Sequence, residues 1–259
     1  MTSSLEDAFA EAGRSAAAAV KAATLLAGAA KQLQKAAQEG DIAKMRKSAE
    51  RLASASDVAR QSAANAKTAW PYSQSEEQEY LAAGYELELL DEAARAGLKI
   101  YPRDSRLLAY PSILRIVPTD LSIKIDKKKI SALRPTHLVQ ALVANQKRKS
   151  RYPAERFIQA LHNAYLIIVP SGETGSVLKL AQIYQALTLQ PGAAAEYNKS
   201  DFARDLYMVD ESGVSRTRSG ARFSLHASTG ARGGASDLFT FVAPNGELKT
   251  YYGIRFTEG

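Results

Sequence analysis

Two stretches of the chain gather cations and exclude acids. Residues 127–151 hold Lys127, Lys128, Lys129, Arg134, Lys147, Arg148, Lys149 and Arg151; residues 213–236 hold Arg216, Arg218, Arg222 and Arg232. The formal net charge of the 259-residue chain is +7, so outside these windows with their twelve cations the chain is net acidic. Segregated positive charge, more than total charge, is the footprint of a polyanion partner. Ser215-Arg216-Thr217-Arg218-Ser219-Gly220 interleaves hydroxyls with guanidinium groups, the donor types that contact phosphate oxygens. Tyr152, beside the first window, offers one ring on which a base could stack. Each window also reads as a solvated loop between helices, the usual role of a charge run.

Other chemistry is sparse. The chain has no cysteine, which excludes disulfides, thiolate zinc sites, iron–sulfur clusters and a cysteine nucleophile. Its three histidines, His137, His162 and His226, show no metal-ligand spacing, and no metal or other cofactor is expected. Asp237 followed by Glu247-Leu248-Lys249 has the residue types of an Mg²⁺-dependent nuclease, where carboxylates hold the metal and a lysine steadies water. Glu247 falls in a turn, however, and such triplets arise by chance. Gly172-Glu173-Thr174-Gly175-Ser176 lacks the lysine and spacing of a phosphate loop, and reads as a turn with Ser176 as N-cap. Asp210-Glu211-Ser212-Gly213 is too short for a calcium loop.

The elements that would position these residues follow from periodicity. Leu5, Phe9, Ala12, Ala16, Ala19, Ala23, Leu26, Ala30, Leu33 and Ala37 recur in steps of four and three, a heptad seam. Glu39-Gly40-Asp41 supplies a stop and a new cap. The rhythm resumes with Ile42, Met45, Ala49, Leu52, Ala59, Ala63, Ala66 and Trp70, broken at Ser56, and Pro71 ends it. The pattern predicts an antiparallel helical hairpin with a weak, alanine-filled seam. A third helix is expected over 73–97, closed by Gly97.

Leu98–Tyr101, Leu107–Tyr110, Ile113–Val117 and Leu121–Ile125 then alternate as short strands of an antiparallel meander. Helices return at Pro135, at Pro153, over Ser176–Leu189 and near Ser200–Met208. Strands at Arg222–His226, Phe239–Ala243 and Leu248–Phe256 close the chain, the last two flanking the turn Pro244-Asn245-Gly246-Glu247. On the final strand Leu248, Thr250, Tyr252, Ile254 and Phe256 should face one way, and Lys249, Tyr251 and Arg255 the other.

The fold expected is α+β and predominantly helical: an N-terminal hairpin arm over 1–72, a mixed α/β segment over 73–175 with a small antiparallel sheet, and a winged-helix-like helix–helix–β-hairpin unit over 176–259. The second of those helices, Asp201-Phe202-Ala203-Arg204-Asp205, is acidic for a groove reader. The acidic start Met1–Asp7 reads as no secretory leader, and Ala16–Ala30, interrupted by Lys21, as no membrane span, so a cytoplasmic, bacterial-type protein is expected. The charge map points to a non-enzymatic, nucleic-acid-associated protein, on DNA rather than RNA, that assembles through residues 1–72. An adaptor docking an acidic protein and the metal-dependent nuclease are the alternatives.

Overall fold

The computed structural model describes residues 4–258 apart from 151, 171, 172, 174 and 228–236, so Arg151 and Arg232 lie outside the described residues. The architecture is mixed α+β with a long N-terminal helical pair and antiparallel sheets, as expected. Its contacts divide it into two compact units, at boundaries other than the three segments read from sequence. One comprises residues 1–92, 118–121 and 132–138; the other comprises 93–117, 122–131 and 139–259.

The first unit is built on α1 (Leu5–Glu39) and α2 (Ile42–Thr68). Ser4 caps α1, Gly40 ends it in the left-handed region at φ 68°, and Asp41 caps α2. At 1.5 Å per residue the two rods extend about 50 and 40 Å. Half of the expected seam holds. Leu5, Ala12, Ala19, Leu26 and Leu33 face inward, but the other inward residues are Ala8, Ser15, Ala22, Ala29 and Ala36, each one position before the expected one. On α2 Leu52, Ala59 and Ala66 face inward as expected, joined by Ser48, Ala55 and Ser62, whereas Ile42, Met45, Ala49, Ser56 and Ala63 are exposed. Both registers are filled with small residues, so volume cannot discriminate between them; the aromatic residues decide instead. Phe9 and Trp70 pack on each other, tilted, at 4.9 Å, and the contact continues from Trp70 to Tyr72 and from Tyr72 to Tyr80.

The expected third helix is two. Gly84 interrupts it, giving α3 (Gln74–Ala83), opened by a capping box of Ser73 and Glu76, and α4 (Tyr85–Arg95). Glu88 of α4 accepts hydrogen bonds from the Leu5 and Glu6 amides (3.1 and 2.7 Å) and from the Tyr80 hydroxyl (2.8 Å). A carboxylate thus meets the positive end of the α1 dipole. Glu6 in turn accepts from the Thr136 amide and hydroxyl and from Arg134 at 2.7 Å.

The second unit opens with a five-stranded antiparallel meander in sequence order: β1 (Tyr101–Arg103), β2 (Arg106–Ala109), β3 (Ser112–Val117), β4 (Ser122–Ile125) and β5 (Lys128–Ile130). β5 lies inside the first cationic window, where sequence suggested a loop. The β4–β5 turn is a two-residue hairpin with Asp126 and Lys127 at φ 48° and 73°. Both positions of such a turn demand positive φ, a costly requirement for residues with a Cβ. α5 (Pro135–Gln146) and α6 (Ala154–Ile168) follow at the expected places. Ser176 does not cap a helix; β6 (Leu178–Lys179) intervenes before α7 (Leu180–Leu187), the single turn α8 (Ala193–Glu196) and α9 (Lys199–Glu211).

The unit closes with β7 (Arg222–Ala227), β8 (Phe239–Val242) and β9 (Leu248–Thr257). β9 is central, with β7 on one edge and β6 and β8 sharing the other. Helix α6, strand β6, helices α7 and α9, then strands β7 and β9 in the sheet order β6–β9–β7 make the winged-helix arrangement, with β8 added in the wing. The core joins Phe157, Leu161 and Tyr165 of α6, Ile183 of α7, Phe202 and Leu206 of α9, and Phe239, Ile254 and Phe256 of the sheet. The register of β7 shifts between His226, opposite Gly253, and Ala227, opposite Tyr251. Tyr252 is therefore extra. Such a bulge reverses side-chain parity, so Tyr251, expected outward, is buried with its hydroxyl donating to Asp210 at 2.9 Å.

Candidate functional site

Helix α9 is the centre of the chemistry. Eight of its thirteen residues are buried, Asp201, Arg204 and Asp205 among them, while Lys199, Ser200, Met208, Asp210 and Glu211 are exposed. The stretch Asp201–Tyr207 is buried and so not presented to a DNA groove, and the charges within it serve the protein itself or a small group reaching them. Asn198 caps the helix by accepting from the Ser200 and Asp201 amides.

Arg204 is only 7 % exposed. Its guanidinium donates to Asn145 Oδ1 at 2.8 Å and to the backbone oxygens of Asn145 and Arg148, each at 3.3 Å. Asn145 Nδ2 donates to Ser112 Oγ at 2.9 Å, and the Ser112 hydroxyl bonds the Asp126 carboxylate. Asp126 also accepts from the Ile113 amide at 2.9 Å, which explains why the turn holds an aspartate at positive φ. A polar chain thus runs from guanidinium to carboxylate through an amide and a hydroxyl, tying α9 to the meander. Burial pushes the Asp126 carboxyl above its ordinary value, against the opposing pull of the Ile113 amide, Ser112 and the positive charge of Arg204. Burial, followed by repulsion from Arg148, lowers the Arg204 pKa.

The next residue, Asp205, is 2 % exposed. It accepts from the Ser150 hydroxyl at 2.6 Å and the Tyr197 hydroxyl at 2.7 Å. Asp201 pairs with Arg148 at 2.8 Å. Hence α9 holds the basic loop after α5 at three places: Arg148 by ion pair and by backbone, and Ser150 by hydroxyl.

These side chains frame an open cleft of about 580 Å³ lined by Lys128, Arg148, Lys199 and Arg204, by Asp126 and Asp201, and by Asn145, Asn198 and Ser200. Of the cations read from sequence, Lys128 and Arg148 line this cleft, and Lys149 borders a smaller pocket that shares Arg148 and Arg204. Lys127, Lys128, Lys147 and Lys149 are exposed and carry no ion pair among the described residues. Lys129, on β5, is also exposed. Arg134 belongs to the first unit, where Glu6 holds it at 2.7 Å.

Arg216, Arg218 and Arg222 are exposed, but elsewhere. Arg222 pairs with Thr257 at one end of β9, whereas Phe241, in the cleft wall, pairs with Lys249 near the other. Eight residues of strand separate these points, about 26 Å. Among the described residues, Arg222 of the second window therefore lies well away from the cleft. Residues not singled out from sequence as site residues, Arg204, Asp126, Asn145 and Lys199, build the cleft; the available signal was the spacing of Asp201, Arg204 and Asp205 along the same face of the helix as the core residues around them.

The nuclease constellation does not assemble. Asp237 pairs with Lys179 at 3.1 Å, and Lys179 lies opposite Gly253. Glu247 is six residues from Gly253 along the β9 direction, about 20 Å away. Among the described residues no group of three or more His, Asp or Glu side chains could hold a metal ion. His162 packs against Phe256 with tilted rings at 4.7 Å, and His226 lies 3.3 Å from Ser224 Oγ. No described helix is long and apolar enough to cross a membrane.

Fold and site define a class: an α+β chain with a helical-hairpin unit and a winged-helix-ordered unit whose third helix is enclosed beside a cation-lined cleft. No family model, curated protein or solved structure matches the chain.

Proposed function

We propose that the protein is a cytoplasmic, non-enzymatic nucleic-acid-associated accessory protein that holds DNA by its phosphates. The observation carrying this reading is the set of exposed lysines without ion pairs among the described residues, Lys127, Lys128, Lys147 and Lys149, in a segment free of acids. Internal pairing absorbs Arg134 and Arg148, so the lysines are the groups left to neutralise phosphate. Arg216, Arg218 and Arg222 form a second contact region about 26 Å along β9, a separation that one strand of backbone spans with several phosphates.

Fluorescence anisotropy with duplex DNA across a salt series tests the reading. Replacing the four lysines with glutamate should weaken binding at every sequence and flatten the log–log salt dependence by about three to four units, close to one per phosphate contact. Unchanged affinity and slope would remove these lysines from the interface and the reading with them.

The adaptor reading draws on a different observation. Ser48 is the one buried residue of α2, and Val20, Leu25, Ile42 and Val58 stand exposed along the arm. So long and thinly packed a hairpin suits a docking role. Sedimentation over a concentration series reads self-association directly, and a monomer throughout would leave a different protein as the arm's partner.

A further inference from the structure

We infer that the cleft between α9, the β4–β5 turn and the loop after α5 is a phosphomonoester site, with Arg204 on its floor and Arg148, Lys128 and Lys199 around it. The inference deepens the nucleic-acid reading, because the end of a strand is one carrier of such a group; a free nucleotide is the other.

Four cations line the space against two carboxylates. The carboxylates do not neutralise the floor. Asp201 is engaged by Arg148, while Asp126 is turned to the Ile113 amide and Ser112. Arg204 itself donates to neutral acceptors, an amide and two carbonyls, and no carboxylate lies within ion-pair distance of it among the described residues. A buried guanidinium so placed keeps most of its charge available to an incoming anion, and low local dielectric strengthens that attraction. The helix end contributes little, because Asn198 already accepts from the Ser200 and Asp201 amides. The arginines define the chemistry.

Depth selects the monoester. Arg148 keeps about half its side chain in solvent (52 %), whereas Arg204 is 7 % exposed. A phosphodiester embedded in a continuous backbone reaches rim lysines but not a floor guanidinium. A terminal phosphate projects on a single bond and carries the second negative charge that two arginines match. The volume, about 580 Å³, is in the range of small-molecule sites. Asp201 then acts as the resident competitor, holding Arg148 until the ligand arrives.

The test uses the full chain and defined probes. Calorimetry with inorganic phosphate, with adenosine monophosphate and with adenosine measures the free group; anisotropy with a short single strand bearing a terminal phosphate or a terminal hydroxyl measures the strand end. The phosphorylated member of each pair should bind about tenfold tighter or more, the worth of one hydrogen bond between charged groups. Arg204→Lys and Arg148→Ala should abolish that preference while leaving the salt-dependent background on duplex. Asp201→Asn should raise phosphate affinity several-fold, a gain that a misfolded protein cannot mimic. If only the nucleotide and inorganic phosphate show the preference and no strand binds, the cleft assignment holds and the nucleic-acid reading falls. Equal binding of phosphorylated and unphosphorylated probes, with no gain in Asp201→Asn, overturns the inference even where duplex binding persists.

Discussion

Replacing Asp205 with alanine would strip the buried face of α9 of an acceptor that two hydroxyls share. The carboxylate takes Ser150 at 2.6 Å and Tyr197 at 2.7 Å, and the residue is 2 % exposed, so water cannot easily substitute. Hydrogen bonds to a charged partner contribute about 1.5–3 kcal/mol each, and an orphaned buried donor adds its own desolvation cost. Relief from burying the charge offsets part of that sum. A net loss of about 3 kcal/mol follows, equivalent to a fall in melting temperature of about 6–12 °C for a protein of this size. Tyr197→Phe removes one of the two bonds and should cost about half as much. Tyr197 needs this partner: burial first, then Asp205, drives its phenol pKa far above the ordinary value, so it stays a donor throughout the accessible pH range. Differential scanning calorimetry on the two single variants and the double variant closes a cycle. If Asp205→Ala melts within a degree or two of the parent, or Tyr197→Phe costs as much without Asp205 as with it, the network does not hold α9 as described.

The seam register and the base of the hairpin each make a measurable claim. Ala22→Leu forces three extra carbons between α1 and α2 and should destabilise by about 1–3 kcal/mol in urea titrations, while Ala23→Leu, on the exposed side, should stay within about 0.5 kcal/mol; the opposite order would restore the register read from sequence. At Glu6, burial alone would raise the pKa, but hydrogen bonds from Thr136 and Arg134 outweigh it and hold the carboxyl below its usual value. A group depressed in the folded state contributes stability above its unfolded pKa and loses it as pH falls through the folded one. The gap in stability between the parent and Glu6→Gln should therefore be full near neutrality and shrink on acidification below about pH 4.5, and a gap that stays constant with pH would contradict this pairing.

Much of the architecture was legible because it rests on local signals. Proline before α6, the Gly40–Asp41 punctuation and the alternation of Ile123 and Ile125 report backbone requirements that no distant contact overrides. The errors arose where local signals were silent. Two alanine registers of α1 bury nearly the same area, and the packing of Phe9 on Trp70, a contact across 61 positions, separates them. Gly84 as a helix break and Tyr252 as a bulge are single-residue events whose consequences spread in opposite ways. The first leaves both flanking helices on course, while the second reverses every side chain beyond it, which is why Tyr251 ends inside with Asp210.

The cleft was not legible because its parts have no common period. Asp126 sits in a turn, Asn145 near the end of a helix and Arg204 in the middle of another; Arg204 meets Asn145 directly, and Ser112, at the start of a strand, continues the contact from Asn145 toward Asp126. Charge counting found the neighbouring lysines instead, because a run of like charge is visible without folding. Yet exposed lysines are free to contact any polyanion and so select little among them. A buried guanidinium is costly to keep unless something else needs it. Arg204 is held by acceptors that position it without neutralising it, in a wall of the one helix that a winged-helix unit would ordinarily present to a groove. The residue hardest to find from sequence is therefore the one whose placement most restricts what the protein can bind.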